Sequence, residues 1–204
     1  MPRVIAALVL LATLAGCAVP RGPDASVAEV RRNTYFSGDS PSVTLFTVYG
    51  TRFDDGAHTG LMIDGSQRVL WDPAGSFRHP HVPERGDVLY GITPMIERIY
   101  IDYHVRPTHY MVEQEMPVTS EQATELIRLA RQSGRSSQAM CAWTTSGILN
   151  RAGVDVGRTL FPDALRRRFG TLSGVAERRI DMDNVETDHN VVFGRGGVPT
   201  PPGA

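Results

Sequence analysis

Patterns of apolar and polar residues divide the chain into short strands followed by helices. Segment 42–50, "SVTLFTVYG", is rich in β-branched and aromatic residues and predicts a strand. Segment 57–75, "AHTGLMIDGSQRVLWDPAG", predicts two strands joined by a turn at Asp64-Gly65. Segment 108–118 alternates and ends at a proline, which again predicts a strand. These segments therefore predict a sheet.

Helical periodicity dominates the second half of the chain. The clearest helix is predicted over 119–134, where Thr119 and Gln122 fit a capping box and apolar residues recur at helical spacing. Further helices are predicted over 93–104, 140–153 and 161–170, terminal strands over 174–182 and 189–194, and a proline-broken loop over 77–87. This order predicts an α+β fold, a small and mostly antiparallel sheet with packed helices.

The first residues have the layout of an export signal. Arg3 precedes an apolar run from Val4 to Leu14, which is too short to span a membrane, and "LAGC" follows. "LAGC" resembles the lipobox of bacterial lipoproteins. That resemblance implies that Cys17 becomes the first residue of the mature protein and carries lipid, which anchors it in the membrane of the cell envelope, on the periplasmic side. An ordinary signal peptide is the alternative.

Composition divides the remaining chain into a domain with two polar flanks. We expect a signal peptide over 1–16, a lipidated N-terminus and linker over 17–40 with residues 18–32 unstructured, a single globular domain over 41–193 and a disordered tail over 194–204. The formal net charge of −1 argues against a nucleic-acid partner. We expect a monomer.

The chain contains two cysteines, and their roles differ. Exported proteins usually pair their thiols, but lipidation of Cys17 would leave Cys141 without an intramolecular partner. Such a thiol is either buried and inert or reactive. Cys141 begins a predicted helix, where backbone N–H groups and the helix dipole favour a thiolate and can stabilise an oxyanion.

A nucleophilic thiol needs a base, and His58 lies at the start of a predicted strand. Alternation places His58, Gly60 and Met62 on one face of that strand. A three-residue loop over 64–66 would put Asp72 directly across from His58, where a carboxylate could orient the imidazole. A slip of one residue would turn Asp72 to the other face.

The order of these residues resembles a known family. A histidine in "AHTGLMI", an acidic residue in "VLWDPAG" and a downstream cysteine in "CAWTTSGILNRAG" resemble the circularly permuted branch of the NlpC-type papain-like fold, over roughly residues 42 to 153. That branch includes YiiX-like hydrolases and lecithin retinol acyltransferase-like proteins. The resemblance implies a cysteine hydrolase without a cofactor, with Cys141 as nucleophile, His58 as base and Asp72 as orienting residue.

The resemblance leaves the substrate open. An amide in cell-wall peptide or glycopeptide would make the protein a peptidase or amidase, and the location favours this reading. An ester or amide of a lipid would make it a thioesterase or acyltransferase.

Other readings compete with catalysis. In a non-catalytic binding or structural lipoprotein, Cys141 and His58 would be ordinary packed residues. A metal site is a third reading, with ligands from His79, His81, Glu84, Asp87, His104 and His109. Trp71 and Trp143 are predicted to pack in the core, with a place in a substrate cleft as the alternative.

Overall fold

A seven-stranded antiparallel sheet is the framework of residues 22–186, the part of the chain that the computed structural model describes. The strands are β1 (Ser42–Gly50), β2 (Asp55–Asp64), β3 (Arg68–Trp71), β4 (Glu84–Arg85), β5 (Val88–Tyr90), β6 (His109–Pro117) and β7 (Ala176–Ile180), in the order β4-β5-β3-β2-β1-β6-β7. The helices are α1 (Val27–Arg32), α2 (Pro94–His104), α3 (Ser120–Ser133), α4 (Cys141–Arg151) and α5 (Pro162–Phe169). The predicted α+β fold class is therefore confirmed.

Helices cover both faces of the sheet because the central strands are apolar on both sides. β1 is buried from Val43 to Tyr49. On one face Leu45 and Leu61 belong to a core shared with α3, α4 and α5. On the other face Phe46 and Met62 belong to a core shared with α2. Alternate residues of β2 thus point toward different helical layers, and His58 shares the α2 side with Met62.

Most predicted elements are present. The strands predicted at 42–50, 108–118 and 174–182 correspond to β1, β6 and β7, and the four predicted helices correspond to α2 to α5. The capping box of α3 forms with both of its hydrogen bonds. The predicted loop over 77–87 differs in one detail, since Glu84 and Arg85 pair with β5 as β4. The strand predicted at 189–194 lies outside the described residues.

The predicted register of the β2–β3 hairpin is wrong. Asp64 pairs with Arg68 and Leu61 with Trp71, so the loop is 65–67 rather than 64–66. Continued past β3, this register brings Asp72 level with Gly60 instead of His58. Because the partner shifts by two residues, Asp72 stays on the His58 face, and the two side chains meet diagonally.

The prediction that residues 18–32 are unstructured is wrong for the part that the structure describes. Ser26 caps α1 by accepting a hydrogen bond from the Glu29 N–H at 3.2 Å. The Ala25 N–H donates to the Glu84 carbonyl at 2.8 Å, and Asp24 accepts from Arg135 at 3.0 Å. This segment therefore packs on the sheet edge at β4. The signal that could have found α1 is the Ser26-x-x-Glu29 capping pattern.

Candidate active site

Cys141 occupies the first position of α4. The residue is 5% exposed, and Met140, which precedes the helix, makes no side-chain capping hydrogen bond. Helical hydrogen bonding begins with the Thr144 N–H, which donates to the Met140 carbonyl at 2.9 Å. The N–H groups of residues 141–143 precede that bond, so they have no partner within the helix. The thiol thus lies at the positive end of the helix dipole.

An open stretch of the β2 edge receives the thiol. β3 pairs with β2 from Asp64 only as far as Leu61, so the edge at residues 58–60 has no flanking strand on that side. The Cys141 sulfur interacts there with the Thr59 N–H and with the His58 side chain. Cys141 of α4, on one side of the sheet, therefore contacts His58, whose side chain faces the α2 side.

His58 forms a hydrogen-bonded pair with the buried Asp72 carboxylate. His58 Nε2 lies 2.7 Å from Asp72 Oδ1, and the two side chains are 17% and 2% exposed. Because a carboxylate accepts, Nε2 donates, and the other ring nitrogen, Nδ1, is the one available to the thiol. The structure thus brings the three predicted site residues together.

The pKa values of the three groups reflect their mutual contacts. Burial would lower the pKa of His58, but the charge and hydrogen bond of Asp72, with a further contribution from Cys141, raise it to about 10. Burial would raise the pKa of Asp72, but His58 lowers it below its usual value. For Cys141, burial is likewise outweighed by His58 and by the N–H groups of Thr59 and Ala142, so the thiol pKa is lowered. All three directions favour a thiolate beside an imidazolium.

Tyr100 holds the Asp72 carboxylate from the α2 layer. Its fully buried hydroxyl donates to Asp72 Oδ1 at 3.0 Å, so that oxygen serves both Tyr100 and His58. The missing side chain of Gly60 makes room for this hydroxyl, because a Cβ there would overlap it. A methyl group at Gly75 would likewise overlap the Asp72 carboxylate. Sequence reasoning missed Tyr100, although the helical pattern over 93–104 indicates a buried face.

Asp87 links the two chain segments that carry the site. Its carbonyl accepts from the Asp72 N–H at 2.9 Å. Its carboxylate accepts from the Ala74 N–H at 2.9 Å and from the Ser136 N–H at 2.7 Å. Ser136 begins the segment that leads into α4, so Asp87 fixes that segment against the turn that holds Asp72. Nothing in the sequence pattern distinguishes Asp87 from an ordinary turn residue.

His104, at the end of α2, stacks on the catalytic candidate His58. The two rings lie 5.8 Å apart with an interplanar angle of 10°. His104 Nδ1 donates to the Tyr100 carbonyl at 2.9 Å. Burial lowers the pKa of His104 to about 4, so it is neutral near pH 7. Sequence reasoning assigned His104 to a metal site and missed this contact.

The groups that could hold a metal ion differ from the predicted set. Within residues 22–186 the one such group consists of His58, Asp72 and His104, whose ligand atoms lie within 4.8 Å of one another. His79 and His81 do not belong to it. A metal ion at this group would have to displace the hydrogen bond between His58 and Asp72.

Two further predictions concern residues around the site. Trp71 is fully buried, as predicted, but Trp143 is 37% exposed and lies under the Arg158 guanidinium at 3.9 Å, so its predicted core position is wrong.

Cys17 lies outside the described residues. In the described part of the chain no helix combines the length and hydrophobicity needed to cross a membrane.

Comparison with known proteins assigns no family to this arrangement. No family model, curated protein or solved structure matches the chain significantly.

Proposed function

We propose that this protein is a membrane-anchored, extracytoplasmic cysteine hydrolase that cleaves an amide or ester through an acyl-thioester. The observation that carries the proposal is the chain of contacts from Cys141 through His58 to Asp72 at the edge of β2. The Cys141 thiol at a helix N-terminus contacts His58, and His58 lies 2.7 Å from the buried Asp72 carboxylate. Nucleophile, base and orienting carboxylate are the groups that acyl transfer by a thiol requires.

The chemistry follows from these positions. The Cys141 thiolate attacks the acyl carbonyl carbon, and the carbonyl electron pair moves onto oxygen. Backbone N–H groups of the first turn of α4 are placed to stabilise that oxyanion. His58 donates its proton to the leaving amine or alcohol as the tetrahedral intermediate collapses to a thioester. Water then attacks the thioester, with His58 as the base, and Cys141 is released.

The permuted NlpC-type papain-like family is the assignment we propose for this chain. The order of His58, Asp72 and Cys141 supports it, as does the position of Cys141 at the start of a helix packed on an antiparallel sheet. With a lipid anchor on Cys17, cell-wall peptide is the substrate we favour. A lipid ester or amide is the alternative within the same chemistry.

The first test is the rate of Cys141 alkylation by iodoacetamide against pH, measured on the Cys141 peptide by mass spectrometry so that Cys17 does not interfere. We expect fast alkylation below pH 7 in the parent. In His58→Ala the rate should fall at least about tenfold at pH 6.5, because the thiol pKa returns toward about 8.5. The matched control is His81→Ala, which removes an exposed histidine outside the site.

A second readout separates a catalyst from a merely reactive thiol. p-Nitrophenyl acetate should acetylate Cys141 in the parent with release of p-nitrophenolate, and the acetyl group should then be lost to water. Slow alkylation with the pH profile of an ordinary thiol, unaffected by His58→Ala, would instead indicate a structural cysteine. The protein would then be a binding or structural module.

A further inference from the structure

A cavity of about 290 Å³ opens beside His58 on the α2 side of the sheet. Its basic lining residues are His58, His104, Arg106 and His109, and no Asp or Glu of residues 22–186 lines it. Cys141 does not line the cavity, but its thiol contacts His58, which does line it. The His58 ring therefore separates the cavity from the Cys141 sulfur, and the cavity is a side pocket of the candidate active site.

Arg106 supplies the positive charge on the wall, because Asp72 and the Cys141 thiolate balance the charge of His58. The pKa of His58, which burial lowers and Asp72 raises, is about 10, so its ring is cationic near neutral pH. Burial keeps His104 neutral by lowering its pKa to about 4. Asp72 does not line the cavity, and it is buried against the Nε2 side of His58. The wall of the cavity thus contains the Arg106 guanidinium and no acidic residue of the described chain.

Arg106 is held in a fixed position on that wall. Its Nε donates to the Tyr103 carbonyl at 2.6 Å, and its guanidinium lies 4.7 Å from the centre of the Tyr103 ring. Backbone pairing between Arg106 and His109 holds the segment that follows α2. The Ser76 hydroxyl, bonded to the Tyr103 hydroxyl at 2.8 Å, adds a further polar group to the wall. Guanidinium and hydroxyl groups are typical partners of oxyanions.

We infer that this cavity binds an oxyanion of the substrate, a carboxylate or a phosphate, next to the acyl group that Cys141 attacks. The inference rests on the proposed function and specifies its substrate class. The volume suits a short anionic side chain or a terminal acid group rather than a whole substrate. Arg106 is then the residue that determines specificity for the anion.

The test compares two alkylating reagents of equal length on the full chain. N-(iodoacetyl)-β-alanine ends in a carboxylate and N-propyliodoacetamide in a methyl group, and both rates are measured on the Cys141 peptide. At low ionic strength we expect the parent to prefer the anionic reagent by on the order of tenfold, since the attraction acts over a few ångströms in a partly shielded site. In Arg106→Gln this preference, measured as the ratio of the two rates, should fall at least about threefold.

Two further variants separate charge from structure. Arg106→Lys keeps the charge and should retain most of the preference. Arg98→Gln removes an exposed arginine of α2 that contacts Met95, and it should behave as the parent does. Equal rates with both reagents in the parent, or a preference that Arg106→Gln leaves intact, would overturn the inference. Failure of the proposed function is a different result, because it would make the neutral reagent itself slow and independent of His58.

Competing ions distinguish the two anion types and remain informative if Arg106→Gln does not fold. In the parent, at constant ionic strength, acetate or inorganic phosphate should slow the anionic reagent more than the neutral one. The ion that competes more strongly indicates whether the site suits carboxylate or phosphate. If neither ion slows the anionic reagent selectively, the inference is wrong.

Discussion

At the scale of single residues, His58 shows how one neighbouring charge reverses the effect of burial. An isolated buried imidazole loses its proton more easily, as His104 does with a pKa of about 4. His58 is also mostly removed from solvent, with its side chain 17% exposed, yet the Asp72 carboxylate at 2.7 Å raises its pKa to about 10. The two stacked histidines therefore differ in charge because only His58 is hydrogen-bonded to the carboxylate.

Removing the negative charge of Asp72 should lower the reactivity of the Cys141 thiol. In Asp72→Asn the side chain keeps its size, but burial of His58 is no longer offset, so the pKa of His58 should fall. The Cys141 thiolate then loses its cationic partner, and alkylation by iodoacetamide at pH 6.5 should slow by at least about tenfold. Asp39→Asn, an exposed substitution, is the matched control. An unchanged alkylation profile would show that Asp72 does not act on the thiol through His58.

At the scale of elements, the β2–β3 hairpin sets the site, and the sequence predicts part of it. The face shared by His58 and Asp72 follows from strand alternation, which survives a two-residue shift in register. The loop position does not follow, because Asp64-Gly65 can belong to the loop or to its edge. The contact between Tyr100 and Asp72 is not predictable either, since periodicity shows that α2 has a buried face but not which residue of the sheet it meets.

The same limit applies to the open edge of β2. The helix that begins at Cys141 is visible in the sequence, and so is the strand that carries His58. The pairing of β3 with β2 ends at Leu61, and this leaves the Thr59 N–H to the thiol. Where the pairing ends depends on the length of the neighbouring strand β3, which the pattern of β2 does not show. The role of Asp87 cannot be predicted from the sequence either, because its partners Ala74 and Ser136 are far apart in the chain.

The turn after β3 gives an element-scale prediction. In Gly75→Ala the new methyl group would overlap the Asp72 carboxylate, which must move away from His58. We expect slower alkylation of Cys141 at pH 6.5 and a loss of stability of about 1–3 kcal/mol, typical of overpacking. The control is a double-mutant comparison. In an Asp72→Ala background, Gly75→Ala should have little further effect on alkylation, and an undiminished effect there would mean that the methyl group acts elsewhere.

At the scale of the whole molecule, the site joins the two helical layers across the sheet. α4 brings the thiol from one layer, and α2 brings Tyr100 and His104 from the other. Site residues contributed by both layers can keep their geometry only while the layers stay packed. The site and the global stability of the domain should therefore respond to pH through the same buried groups.

His104 makes that response measurable. Its pKa is about 4 in the folded protein and about 6.5 in an unfolded chain, so between these values the unfolded state binds more protons. Its contribution to stability is thus complete above pH 6.5 and is lost as the pH falls toward 4, by about 2–3 kcal/mol. We expect His104→Phe, which keeps an aromatic ring beside His58, to remove this loss.

The measurement is the free energy of unfolding in urea at several pH values between 4 and 7, followed by tryptophan fluorescence. The difference between the parent and His104→Phe isolates His104 from the other groups that titrate in this range. The free energy of unfolding of the parent minus that of His104→Phe should rise by about 2–3 kcal/mol as the pH increases from 4, and become constant above about 6.5. His81→Phe, at an exposed position, should keep the slope of the parent. A difference that does not vary with pH would mean that His104 is not held neutral by the packing of α2 on the sheet.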